Sequence, residues 1–158
     1  MKICVLLSVI FISFVCKGQE IKLSDISISV YPSSGGEVGY FIKVEKGILE
    51  VSSKKLKVEG NDIVLGSTIS TKRINLSKRQ SKRIACYVSE LRKLQDVKRS
   101  SNDLILDVWL VDFFIEEKQE IRTNSKDLGN NSEFSNLKKV FKYLIKISPL
   151  DVELKGFS

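Results

Sequence analysis

Between Ile26 and Asn75 apolar residues recur at every second position, and from Asn75 onward they recur at every third or fourth. A strand turns successive side chains to opposite faces, whereas a helix repeats about every 3.6 residues, so this chain places strands first and a helix after them. In ISISV, Ile26, Ile28 and Val30 share one face; in VGYFIKV, Val38, Tyr40, Ile42 and Val44 do. Each segment therefore has one face to bury. YPSSGGE between them concentrates Pro, Ser and Gly and is a loop. Lys46-Gly47 makes a short turn into ILEVSS, KLKV follows, and Gly60-Asn61-Asp62 turns the chain into IVLGSTIS. Connections this short favour antiparallel neighbours, so the strands form a meander.

The segment that begins at Asn75 is an amphipathic helix. Ser77 and Gln80 have the capping-box spacing, in which each side chain satisfies a free backbone donor at the other residue. Ile84, Val88, Leu91 and Leu94 follow on one stripe, with Lys78, Arg79, Lys82, Arg83, Arg92 and Lys93 on the rest of the surface. The stripe belongs on a sheet and the basic side in water.

DLILDVWLVDFFIEEKQEIRT carries the strongest strand signal. Leu106, Val108, Leu110 and Asp112 alternate against Asp107, Trp109, Val111 and Phe113, so both faces are largely apolar and the strand is expected near the centre of a sheet. Trp109 is expected to pack in the core against the first helix. Glu116 to Gln119 form a turn into EIRT, and NSKDLGNNSE is read as a loop. Ser132 is then a candidate N-cap for a second helix, with Phe134, Leu137, Phe141, Leu144 and Ile145 as its buried stripe and Pro149 as its stop. The tail offers a short edge strand through Val152 and Leu154. Strands followed by segregated helices define the expected class: an α+β fold, with an antiparallel β-sheet (a meander plus a long central strand or hairpin) and two amphipathic helices packed on it.

The chain opens with Lys2, an apolar run of 14 positions from Ile3 to Cys16, and the polar Lys17-Gly18-Gln19-Glu20. This is the pattern of a secretory signal, and the run is short of the roughly 20 apolar residues that a spanning helix needs. Small side chains at Cys16 and Gly18 place the expected cut before Gln19. That leaves residues 1–18 as a signal peptide and residues 19–158 as a single α+β domain, secreted or periplasmic. The alternative is a lipoprotein acylated at Cys16, although bulky Phe14 and Val15 precede that cysteine. With Cys4 and Cys16 in the leader, Cys86 has no intramolecular disulfide partner. It is expected to be a small buried residue on a helix face, the alternatives being a reactive thiol or an intermolecular link.

The chain contains no His. Ser-His-Asp and Cys-His catalysis and the usual His-containing zinc sites are thereby excluded, and a single mature cysteine excludes Cys-rich zinc clusters. No catalytic, cofactor-binding or metal-binding residue is assigned, and no cofactor is expected. The glycines of SSGGEVG lack the spacing and following helix of a phosphate loop. Asp107 and Asp112 face opposite sides of one strand and cannot form a pair on one surface; Asp112 is expected in a salt bridge with a helix Lys or Arg, or at the sheet rim.

The whole chain has 26 Lys plus Arg against 19 Asp plus Glu, and removal of Lys2 and Lys17 leaves 24 against 19, a net charge of +5. That is moderate for a nucleic-acid binder, and nucleic acid is disfavoured as a partner. The cations cluster instead as Lys78, Arg79, Lys82 and Arg83 on the first helix and Lys138, Lys139, Lys142 and Lys146 on the second. If both helices cover one sheet face, these residues form a shared basic binding surface. The expected function is an exported, non-enzymatic binding or interaction domain, inhibitor-like or envelope-associated. It would meet an unknown protein or envelope component through a strand edge, a loop or the basic helix side. The alternatives are a His-free carboxylate hydrolase or lyase, and a basic surface binder of anionic lipid or glycan.

Overall fold

The structure, a computed structural model, describes residues 25–32, 36–60, 62–91, 109–116, 119–130 and 132–152. The leader with Cys16, and Arg92, Lys93, Leu94, Leu106, Asp107, Val108, Leu154 and Phe157, lie outside the described residues. The order of elements is β1 (Ile26–Tyr31), β2 (Val38–Glu45), β3 (Ile48–Glu59), β4 (Asp62–Asn75), α1 (Lys78–Leu91), β5 (Leu110–Ile115), β6 (Gln119–Asn124), α2 (Ser125–Asn130), a 3-10 turn (Ser132–Phe134) and α3 (Ser135–Lys146). The strands make one antiparallel sheet in the order β4-β3-β2-β1-β5-β6. The fold class is therefore α+β, as the periodicity predicts.

Register puts the alternating apolar residues in line. Ile28 lies between Ile42 of β2 and Phe113 of β5, and Val44 is opposite Leu49. These side chains are fully buried on one face of the sheet, in one cluster with Ile84, Val88 and Leu91 of α1 and Leu137, Val140, Phe141 and Leu144 of α3. Phe113 meets Phe141 edge to face, with ring centroids 5.9 Å apart. Each such side chain contributes about 1.5–3 kcal/mol by leaving water, so this layer supplies most of the driving force. Trp109 packs at the edge of the same cluster, with the Tyr40 ring of β2 as a neighbour at 6.5 Å.

The turns follow local chemistry. Lys46 and Gly47 both have positive φ, 48° and 78°, the two-residue hairpin geometry whose twist matches the flanking strands. At the start of α1 the Ser77 N–H donates to Gln80 Oε1 at 2.8 Å, and the Gln80 N–H donates to Ser77 Oγ at 3.3 Å. The capping box is formed as its spacing predicts. Ser77→Ala should cost about 1 kcal/mol, read from the urea midpoint of unfolding.

ILEVSS and the KLKV that follows it form one strand, β3, paired with β4 along its length, and two local expectations beyond it are corrected. The polar run Ser52 to Lys55 interrupts the apolar pattern without interrupting the ladder. NSKDLGNNSE is not a loop: β6 runs directly into α2, because Asn124 Oδ1 accepts the Asp127 N–H at 2.8 Å while Asn124 Nδ2 donates to Asp127 Oδ2 at 2.8 Å. That reciprocal cap, with Leu128 fully buried, anchors the short helix. Ser132 does not cap α3; it opens the 3-10 turn, and α3 follows Phe134 without a side-chain cap.

β4 carries two more residues than β3 needs. Ser53 is opposite Ser70 and Lys54 opposite Thr68, which leaves Ile69 unpaired; Leu56 is opposite Leu65, so Gly66 and Ser67 together face Lys55. Two bulges on one strand bend and twist the β3–β4 ribbon strongly. The bend carries the ribbon over the face of the sheet opposite the helices and brings β4 close to β1. Leu56 and Leu65 come down on Gly39 of β2, where an added Cβ would lie 2.6 Å from Leu65 Cδ2 and 2.7 Å from the Val30 carbonyl oxygen.

Candidate functional site

The two helices that carry the cations of the expected basic surface, α1 and α3, pack against each other. Both lie on the same sheet face, the Tyr87 and Tyr143 rings meet edge to face at 6.1 Å, and the Arg83 guanidinium sits 5.2 Å above the Tyr143 ring. Lys78, Arg79, Lys82, Arg83, Lys139, Lys142 and Lys146 are exposed, and Lys138 is half-buried. Between them, these two helices carry eight cations and one acidic residue, Glu90. Cys86 lies in the midst of the α1 cations and is exposed, which corrects the expectation that it is buried. Helical geometry sets it opposite the buried stripe of Ile84, Val88 and Leu91, and Ala85 takes the small core position instead.

On the other sheet face Asp112 is 2% exposed and opposite Arg122 of β6. Arg122 Nε donates to Oδ1 at 2.7 Å, and Arg122 Nη2 donates to Oδ2 at 2.9 Å. The salt bridge expected for Asp112 is present, but its partner comes from the neighbouring strand and not from a helix, because Asp112 faces away from the helical layer. The hydrogen bond to Asp112 holds the Arg122 guanidinium above its ordinary pKa, against the opposing effect of burial. Both oxygens of Asp112 are engaged by Arg122, an arrangement that orients the strand pair.

Tyr31 lies on this face diagonally from Asp112. Burial raises its pKa above the ordinary 10.0, with a hydrogen bond from Ser29 opposing and the Asp112 charge adding to the rise. The neutral phenol is thus favoured in the folded state. Its contribution to stability is complete below the unfolded value and is lost as pH rises through the raised folded one, because the unfolded chain ionises first. Urea midpoints between pH 8 and pH 11 should therefore fall more for the wild type than for Tyr31→Phe.

A groove that local sequence patterns do not reveal crosses the same face beside the bent ribbon. It encloses about 590 Å³ and is lined by Phe41 of β2, Glu50, Ser52 and Lys54 of β3, and Thr68, Thr71 and Arg73 of β4. Alternation along three paired strands brings these residues together. Ser52 Oγ and Thr71 Oγ1 are hydrogen-bonded at 2.8 Å, Arg73 Nε donates to Glu50 Oε2, and the Lys54 ammonium is 5.2 Å from the Phe41 ring centroid. A second depression of about 420 Å³ shares Glu50 and Arg73 and extends the groove past Lys43, Glu45, Lys46 and Ile48. The only sequence signal for the site was the run of Ser, Thr and Lys in β3 and β4 among otherwise apolar strand positions.

These features define a six-stranded antiparallel α+β domain with a basic helical layer on one face and a polar groove on the other. No family model, curated protein or solved structure matches the chain. Among the described residues, no group of three or more His, Cys, Asp or Glu side chains is placed to hold a metal ion, and no helix is long and apolar enough to cross a membrane.

Proposed function

We propose that this chain is an exported, non-enzymatic binding domain that engages an anionic component of the cell envelope through its helical layer. The observation that carries this reading is the packing of α1 against α3, two helices that carry eight cations and one acidic residue between them. A surface with that imbalance attracts anionic partners and does so less as salt rises. The export half of the proposal rests on the leader: Lys2, the apolar run to Cys16, and the cut expected before Gln19. Of the acids weighed for the hydrolase alternative, Asp112 is held by Arg122 and Asp107 lies outside the described residues.

The test is retention of envelope components on the immobilised protein, compared with a variant in which Lys78, Lys82, Lys142 and Lys146 are all changed to Gln. These four are exposed, so their replacement leaves the core intact. The expected result is capture by the wild type that declines between low and physiological salt and is absent in the variant. Equal capture by both proteins, or capture indifferent to salt, removes the helical layer from the function.

A further inference from the structure

We propose that the groove beside the bent ribbon is a second binding site, on the face opposite the basic helices, for a short oligosaccharide bearing carboxylate groups. The site does not depend on the helical-layer reading. Its floor centres on β3, which is paired with β2 on one side and with β4 on the other. A peptide that adds a strand needs free backbone donors and acceptors, and this floor offers side chains only. Those side chains are hydroxyls, one aromatic ring, two cations and the Glu50 carboxylate, which is paired with Arg73.

Thr68 and Thr71 supply exposed hydroxyls, with buried Ser52 hydrogen-bonded behind Thr71, and such groups suit a ligand rich in hydroxyls of its own. Phe41, half-buried, places an apolar ring in the groove, and the Lys54 ammonium lies over its face, 5.2 Å from the centroid. Lys54 makes no ion pair among the described residues, so an incoming anion meets a charge that only the ring engages. Arg73 gives only Nε to Glu50, so its terminal nitrogens enter no ion pair among the described residues. Lys54 and Arg73 stand at separate rows of the ladder, so carboxylates spaced along a ligand can meet the Lys54 ammonium at one row and the Arg73 nitrogens that Glu50 leaves unpaired at the other. The volume of about 590 Å³ falls in the range of small-molecule sites and matches a few sugar rings rather than a folded partner.

Titration calorimetry with trigalacturonate, using neutral maltotriose and triaspartate as controls, tests the site. The expected result is binding of trigalacturonate that is tighter than either control by about tenfold or more, and that weakens by about tenfold or more in Lys54→Gln and in Arg73→Gln. The Lys142→Gln/Lys146→Gln pair on α3 is the arm that separates the two surfaces, since binding carried by the helical layer would be lost there and kept in Lys54→Gln. Heat unfolding of Lys54→Gln, expected to match the wild type, shows that loss of binding is not loss of fold. The proposal is overturned if trigalacturonate fails to bind, if maltotriose or triaspartate binds as well, or if binding survives Lys54→Gln and disappears in the α3 variant.

Discussion

Gly39→Val should lower the unfolding free energy by about 3 kcal/mol, and Gly39→Ala by about 2 kcal/mol, measured from urea unfolding. Gly39 is not glycine for the sake of an unusual φ. It lies where the bent β3–β4 ribbon lands on β2, and its missing Cβ makes room for Leu56, Leu65 and the Val30 carbonyl. A leucine methyl can rotate away, but the Val30 oxygen belongs to a backbone paired on both sides and cannot. For that reason Leu65→Ala, added to Gly39→Ala, should recover only part of the loss. Gly47→Ala is the informative contrast. Nothing lies within 4 Å of a Cβ there, and the cost of about 1 kcal/mol comes only from its positive φ.

Arg122→Met should cost about 3 kcal/mol, because it leaves the Asp112 carboxylate buried without its counter-charge. The value is at the lower end for a broken buried pair, since the Arg122 side chain is 41% exposed and part of the interaction is screened by water. Replacing both partners, Asp112→Leu with Arg122→Met, should return most of the loss. An apolar pair at adjacent strand positions has no charge to desolvate. Urea midpoints of the two singles and the double give the coupling directly. If the double variant is no more stable than Arg122→Met alone, the loss reflects packing of the Arg122 stem rather than the stranded carboxylate.

Local patterns in the sequence were sufficient wherever the structure is local. The alternation of Ile26, Ile28 and Val30 shows their shared face, and Ser77 with Gln80 shows where α1 begins, because each depends on residues a turn or a pleat apart. The cap on α2 was equally local and was missed: Asn124 and Asp127 have the same three-residue spacing, but Gly129 and the Asn residues around it point to a loop. Cys86 was misplaced because burial statistics for cysteine outweighed its position on the wheel opposite Val88. The pairing of Asp112 with Arg122 requires the register of the β5–β6 hairpin, and the groove requires the registers of three strands at once. Nothing in a single strand says that Phe41, Ser52 and Thr71 will stand side by side. The bend of the ribbon was further out of reach, since the extra residues at Ile69 and at Gly66-Ser67 are visible only when β4 is counted against β3.

Those two extra residues also bear on how molecules of this protein behave toward one another. β4 is the longest strand and lies at a margin of the sheet, with Ile63 and Ile69 each 52% exposed, the setting in which chains zip together into fibres. A strand arriving from another molecule that matches the stretch near Asn75 falls out of step at Ile69, and falls out again at Gly66. The irregularity that shapes the groove therefore also interrupts the regular edge that a strand from another molecule would need.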